Sequence, residues 1–317
     1  MFIEAYLIAK LGDLYGLGRF AKVYLVVSLA LCISTARMFA YYPMLIDLGG
    51  YVFLTLSVYA VLVAPRPIAA VAVCLAVLTR EFGIAAALFG VHRDLRRGSG
   101  LRRAAVTFAP AMVLIVLLRH LAVAGVNTAS ISTIMLENIG RLQEPLFVAF
   151  FTYFLLTTFG GISLILFARP AQCARLLAEE PEWISFAVVI LAMAMLWSID
   201  FWRYLAFLLP VAVVLFARAS AYWTFREQMW LYPTATVATW YTQRPFEHVD
   251  LPTYFRDWFP YYVASLGSTP LRPDDLWPVW GWRFAFVIAL LSLLSLSNLW
   301  RRRRGQMDGE VALLRSI

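Results

Sequence analysis

The stretch PIAAVAVCLAVLTREFGIAAALFGVH, residues 67–92, is apolar along almost its whole length and carries one charge pair, Arg80-Glu81, near its middle. In a single apolar helix the pair would lie at the centre, where each ionised group costs about 2.5–3.5 kcal/mol in a membrane. Arg66 and Arg93 flank the stretch, and basic flanks favour the same side for both ends. The pattern therefore predicts a hairpin of two short helices that turns at residues 79–81.

Further apolar runs fill most of the chain. Of its residues, 62% are hydrophobic and 15% charged, with a mean hydropathy of +0.74, whereas soluble domains carry about 25% charged residues. Apolar runs of roughly 17–25 residues can cross a bilayer, and a crossing segment of this kind is helical. The sequence predicts an all-α fold, a polytopic transmembrane helix bundle of about eight to ten helices with short hairpin helices among them. The expected crossings are Phe20–Ala36, Leu48–Ala64, Ala104–Ala124, Pro145–Ala168, Trp183–Ile199, Tyr204–Phe216 and Phe284–Trp300.

Basic residues cluster beside these runs. The net charge is +8, and the arginines within residues 93–103 and 301–304 follow the pattern of cytoplasmic loops under the positive-inside rule. This placement favours a lipid bilayer over nucleic acid as the partner. We expect a multi-pass protein of the cell membrane whose C-terminus is cytoplasmic.

The chain divides into three parts. Residues 1–218 form the predicted transmembrane bundle, and residues 283–317 hold a last transmembrane helix and a basic cytoplasmic tail. Residues 219–282 contain seven of the eleven tryptophans and seven prolines. Because Trp and Tyr favour the headgroup layer, we expect an extracytoplasmic segment at the membrane interface, with or without one crossing. The sequence indicates no metal site and no certain cofactor, and it leaves the oligomeric state unknown.

Asp47 is the first candidate functional residue. It follows the aromatic segment Tyr41-Tyr42-Pro43 and precedes an apolar helix. An Asp at this place can cap the helix, because it accepts backbone N–H bonds and lies at the positive end of the helix dipole. It can also be a catalytic carboxylate, and both interpretations stay open.

The pair Arg80-Glu81 has two interpretations as well. It can mark a turn in the headgroup layer, where the two charges are solvated. Alternatively, Glu81 points into a cavity as a catalytic carboxylate and Arg80 contacts a phosphate, which suits a fixed cation with bidentate geometry.

The segment Asp200-Phe201-Trp202-Arg203-Tyr204 is expected to form a tight turn between two helices. Asp200 and Arg203 can form an i,i+3 contact worth a few tenths of a kcal/mol. They can equally belong to a substrate site together with Tyr204, with Arg203 as a phosphate ligand.

Tyr254 and Trp258 lie in the aromatic segment, within Tyr254-Phe255-Arg256-Asp257-Trp258. Aromatic faces of this kind can stack on a sugar, which makes both residues candidates for substrate binding. A belt of aromatic side chains at the membrane interface explains the same composition.

These polar marks, in this order on short apolar helices, resemble those of the GT-C-type membrane glycosyltransferases. The likeness covers residues 1–218 and rests on Tyr42-Pro43 followed by Asp47, on Leu78-Thr79-Arg80-Glu81, and on Asp200 to Tyr204 with Pro210 beyond. Members of that family transfer sugars from polyprenyl-phosphate donors, and they usually carry the catalytic Asp or Glu in a loop after a first helix. We therefore expect one of two cases. Either Asp47 is this carboxylate, preceded by a shorter N-terminal portion than in other members, or the chain is an N-terminally truncated or divergent member.

The resemblance implies a membrane glycosyltransferase-like protein that uses a lipid-phosphate-linked sugar in cell-surface glycan or glycolipid assembly. Asp47 or Glu81 would act as the base, and Arg80 and Arg203 would stabilise the phosphate of the polyprenyl-phosphate sugar donor. Whether the chain is an active enzyme stays open at this point. The alternative is a non-catalytic membrane scaffold, or a flippase or transporter for a lipid-linked substrate.

Overall fold

A computed structural model of the chain describes residues 2–31, 47–123, 155–197, 204–242 and 281–294, with single positions between 136 and 152 and at 296. Helices make up the regular structure of these residues, and no strand occurs among them. Residues 281–294 are helical as well. The other helices are α1 (Phe2–Leu14), α2 (Arg19–Leu31), α3 (Asp47–Val63), α4 (Arg66–Thr79), α5 (Gly83–Arg96), α6 (Leu101–Val123), α7 (Gly161–Ala168), α8 (Pro170–Glu179), α9 (Glu182–Trp197), a 3₁₀ turn (Ala206–Leu208), α10 (Leu209–Ser220) and α11 (Phe225–Thr242).

The helical character agrees with the sequence, but the predicted polytopic transmembrane bundle is wrong for this part of the chain. None of the helices within the described ranges is both long enough and apolar enough to cross a membrane. The apolar run of α3 ends after 17 residues, about 26 Å at 1.5 Å per residue, against a hydrocarbon core of about 30 Å. The longest helix, α6, has 23 residues but includes Arg102, Arg103 and Arg119.

The apolar run predicted at residues 145–168 shows why sequence alone misplaced the helices. A turn at Thr158–Gly160 interrupts it, and α7 begins only at Gly161. The interruption allows close packing, because a Cβ added to Gly161 would lie 2.3 Å from the backbone oxygen of Ala235 in α11. The glycine thus permits a helix contact that no larger residue allows.

The hairpin predicted at residues 67–92 is present as α4 and α5. The first helix ends at Thr79 and the second begins at Gly83. A Cβ on Gly83 would lie 2.4 Å from the backbone nitrogen of Val77, so the start of α5 packs directly on the last turns of α4.

Several connections between helices meet at one end of the bundle. There the Tyr15 hydroxyl donates a hydrogen bond to Glu180 (2.7 Å), and Arg66 pairs with Asp94. We call this the basic end because arginines dominate its surface. It is defined as residues 12–22, 63–66, 93–102, 169–185 and 218–230.

At the opposite end lie the beginning of α3, the turn between α4 and α5, and the residues just before the 3₁₀ turn. We call this the hairpin end and define it as residues 47–51, 79–83 and 204–207. Between the two ends, the core is apolar and aromatic, with Phe89, Trp183 and Phe186 packed together near the basic end.

Many large apolar side chains are exposed on the outer faces of the helices. They recur along α4, α6 and α9, where the charged residues of a soluble helix would be expected. Exposed apolar surface on this scale is typical of contact with another apolar phase or partner. Among these side chains are Ile68, Val71, Leu78, Val113, Val116, Ile184 and Val188.

Candidate functional site

The turn between α4 and α5 is built by local hydrogen bonds. The Thr79 hydroxyl donates to the carbonyl of Ala76 (2.8 Å), and the Arg80 backbone N–H donates to the same carbonyl (2.9 Å). Arg80 then leaves the helix in an extended conformation, with φ −157° and ψ 141°. The N–H of Gly83 donates to the carbonyl of Arg80 (3.0 Å), so a three-residue turn places Arg80 and Glu81, both half-buried, at its tip.

The stem of Arg80 packs against the first turn of α3. A Cβ on Gly50 would lie 2.9 Å from the Arg80 Cγ and 3.1 Å from the Phe207 ring, so the absence of a side chain at Gly50 makes room for the arginine. The guanidinium carbon lies 5.9 Å from the centre of the Tyr204 ring, within the range of a cation–π contact. Arg80 is therefore held half-buried between α3 and the residues that precede α10.

Aromatic stacking fixes the turn in this position. Phe82 is buried and stacks on Tyr204 with ring centres 4.9 Å apart, and on Phe207 at 4.5 Å. Tyr51 of α3 also contacts Phe207, with ring centres 4.5 Å apart. Offset pairs at such distances add about 0.5–1.5 kcal/mol each beyond their buried area, which makes the hairpin end a rigid frame.

Two helix N-termini and one arginine give this frame its positive features, and Glu81 adds one acid beside them. Both α3 and α5 begin at the hairpin end, and the first turn of a helix carries partial positive charge and free N–H groups. Arg80 adds a full positive charge between them. Glu81 lies two residues before α5, is half-buried, and forms no ion pair or hydrogen bond through its side chain with another described residue.

The structure thus brings together some of the residues singled out from the sequence. Arg80, Glu81 and Tyr204 meet at the hairpin end, and α3 begins there at Asp47. The side chain of Asp47 lies outside the described part of the structure, so its two interpretations stay open. Asp200, Arg203, Tyr254 and Trp258 also lie outside the described residues, and their assignment to a substrate site stays a prediction.

Sequence reasoning missed the supporting residues of this site. Gly50, Phe82 and Phe207 position Arg80, yet none of them carries a chemical group that marks a site. The pair Gly49-Gly50 in the first turn of an apolar helix was the available signal, because glycine there is unfavourable unless another group must come close.

A second polar cluster lies at the basic end. Arg93 contacts Glu182 at 3.4 Å and Glu180 at 3.7 Å, and Arg96 contacts Glu182 at 3.4 Å. Glu182 is fully buried and Arg93 nearly so. The basic run predicted a cytoplasmic loop around Arg93, whereas the structure places this residue in the last turn of α5, paired with carboxylates. Its charge is therefore used for packing α5 on α9.

A third polar group lies inside the bundle. The Thr55 hydroxyl of α3 donates a 2.7 Å hydrogen bond to one carboxyl oxygen of Glu4, and the other oxygen is buried without a partner. Burial disfavours the ionised form and raises the pKa of Glu4 to about 8, although the bond from Thr55 opposes the shift. The Glu4 carboxyl is consequently neutral at pH 7, and it joins α1 to α3.

No protein-family model, curated protein or solved structure matches the chain. The geometry of the hairpin end is accordingly the basis for any functional assignment. Within the described ranges, no group of three or more His, Cys, Asp or Glu side chains is placed to hold a metal ion.

Proposed function

We propose that the hairpin end binds the phosphate of a lipid-phosphate-linked sugar and that the protein transfers this sugar in cell-surface glycan or glycolipid assembly. The observation that carries the proposal is the position of Arg80. Its stem packs on Gly50, its guanidinium lies against Tyr204, and its sequence neighbour is the half-buried Glu81. A fixed cation next to a carboxylate suits transfer of a group away from a phosphate.

The chemistry assigns separate roles to the two residues. An acceptor hydroxyl attacks the anomeric carbon of the sugar, and the bond between that carbon and the phosphate oxygen breaks. Negative charge then accumulates on the departing lipid phosphate, where Arg80 and the N-termini of α3 and α5 stabilise it. Glu81 accepts the proton of the acceptor hydroxyl as general base.

Asp47 is the alternative base in this scheme. It begins α3 at the same end of the bundle, and it takes the place of Glu81 as the base in this second form of the scheme. Substitution of each acid by its amide separates the two roles, because Asp47→Asn and Glu81→Gln remove a charge with little change of shape.

The experiment is a transfer assay with a panel of short-chain prenyl-phosphate-linked hexoses and pentoses. Purified protein in mild detergent is incubated with each labelled donor and a lipid-linked acceptor extract, and the labelled product is separated by chromatography. Loss of a general base lowers the rate about 10²–10⁴-fold, and loss of a cation at the departing charge lowers it about 10²–10³-fold. We expect losses in these ranges for Glu81→Gln and Arg80→Gln respectively.

Matched controls carry the same changes at the basic end. Arg175→Gln removes an exposed arginine of α8, and Asp13→Asn removes an exposed acid that pairs only with Lys22 among the described residues. Both should keep the wild-type transfer rate. Donor binding that depends on Arg80 without any transfer would support the flippase or scaffold alternative. Transfer that survives both hairpin-end substitutions would contradict the proposed site.

A further inference from the structure

Five arginines at the basic end are exposed and form no ion pair or hydrogen bond with other described residues. They come from four separate helices and one turn, so the basic surface is assembled by the fold rather than by one run of sequence. The five are Arg19 of α2, Arg97 after α5, Arg102 of α6, Arg175 of α8 and Arg226 of α11.

The acids of this end do not neutralise these five arginines. Asp94 forms an ion pair with Arg66. Glu180 pairs with Arg93, and Glu182 pairs with both Arg93 and Arg96. Glu179 pairs with Arg218 at 2.9 Å. Asp13 forms an ion pair with Lys22 at 2.6 Å. The Glu227 side chain accepts a hydrogen bond from the backbone N–H of Thr224 (2.9 Å) and caps α11. The unpaired arginines are therefore an excess of positive charge on the surface.

Exposed apolar side chains accompany the arginines. Phe20, next to Arg19, is 38% exposed, and Leu101, next to Arg102, is 73% exposed. Phe225, next to Arg226, is 66% exposed. One helical turn beyond Arg226, Trp230 is 75% exposed. Large apolar side chains are thus exposed directly next to three of the five arginines.

We propose that the basic end docks on a layer of anionic lipid headgroups. The arginines contact the phosphates, and Phe20, Leu101, Phe225 and Trp230 enter the boundary between headgroups and acyl chains. This combination of basic and large apolar side chains is typical of surfaces that lie in a membrane interface. A nucleic-acid duplex would leave the apolar members exposed to water, because its phosphate layer offers them no apolar phase.

This inference concerns a different surface from the proposed transferase site, and neither depends on the other. The hairpin end holds one arginine beside a carboxylate, whereas the basic end presents several exposed arginines and no unpaired acid among its described residues. Substitutions at one end therefore test one proposal without affecting the other.

The test is a competition between two lipids that differ in headgroup charge. Protein purified in dodecyl maltoside is equilibrated with equal amounts of dioleoyl phosphatidylglycerol and dioleoyl phosphatidylcholine and purified again, and the bound lipids are quantified by mass spectrometry. Each basic residue near an anionic surface contributes about fivefold in affinity. We expect the wild-type protein to retain phosphatidylglycerol in excess, and 0.5 M NaCl to reduce that excess because salt screens exposed charges.

Two triple variants make the comparison specific. Arg97→Gln/Arg102→Gln/Arg226→Gln removes three charges and should lower the ratio of phosphatidylglycerol to phosphatidylcholine by at least about fivefold. Arg97→Lys/Arg102→Lys/Arg226→Lys keeps the charges and should keep most of the excess. Equal retention of the two lipids by the wild-type protein would overturn the proposal. So would a glutamine variant that retains the wild-type ratio, or a lysine variant that loses it equally.

Discussion

Glu4 offers a quantitative test of the packing inside the bundle. The substitution Glu4→Gln keeps an oxygen that can accept the 2.7 Å hydrogen bond from Thr55 and removes the group that can ionise. Burial raises the pKa of Glu4 from 4.5 to about 8, so the folded protein favours the neutral carboxyl and the unfolded chain favours the carboxylate. The wild-type protein should therefore lose stability as the pH rises above 4.5, and the loss should level off above pH 8.

The magnitude follows from the same pKa values. A tenfold change in proton affinity corresponds to about 1.4 kcal/mol. The pKa of about 8 therefore implies that Glu4 lowers the free energy of unfolding by about 3 kcal/mol between pH 4 and pH 7, and by about 5 kcal/mol at pH 9. Glu4→Gln should abolish this dependence, so the variant should be the more stable protein at high pH.

The assay is urea unfolding in mild detergent at pH 5, 7 and 9, followed by tryptophan fluorescence. The quantity of interest is the difference between variant and wild type at each pH, because other titrating groups cancel in it. Asp13→Asn serves as the control, since Asp13 is exposed and its removal should leave the pH profile unchanged. If Glu4→Gln and the wild-type protein show parallel profiles, the buried, neutral carboxyl is refuted.

Two further substitutions test the contacts that join the helices. Arg93→Met leaves Glu182 buried with one cation fewer. The free energy of unfolding should therefore fall by about 3–5 kcal/mol in the same urea titration. An unchanged midpoint would show that the contact contributes nothing. Gly83→Ala places a Cβ 2.4 Å from the backbone of Val77 and should cost about 1–3 kcal/mol, whereas Gly18→Ala, with open space around it, should be close to neutral.

The sequence predicted helix boundaries correctly where a local pattern was enough to determine them. The pair Arg80-Glu81 interrupts an apolar run, and the structure turns there, because burying ionised side chains is costly and the turn leaves both only half-buried at the end of the bundle. The helix positions around residue 160 could not be found in this way. Only the close approach of Gly161 to Ala235, 74 positions later in the chain, explains the interruption.

Ion pairs between residues far apart in the sequence also cannot be predicted from local patterns. Arg93 belongs to a basic run, and the natural interpretation is a solvated loop. Its partners Glu180 and Glu182 follow almost 90 positions later, and nothing in the intervening sequence links them. The burial of Glu4 was equally hard to predict. Its hydrogen-bond donor Thr55 lies 51 positions later in the chain, so the sequence around Glu4 does not reveal the contact.

The most direct test of the central claim is an experimental structure of the protein with a prenyl-phosphate-linked sugar bound. We expect the phosphate to lie at the hairpin end, about 2.7–2.9 Å from the Arg80 guanidinium nitrogens, as in other charge-assisted hydrogen bonds. We also expect the sugar to face Glu81. A donor bound elsewhere, with Arg80 free of phosphate contact, would contradict the account.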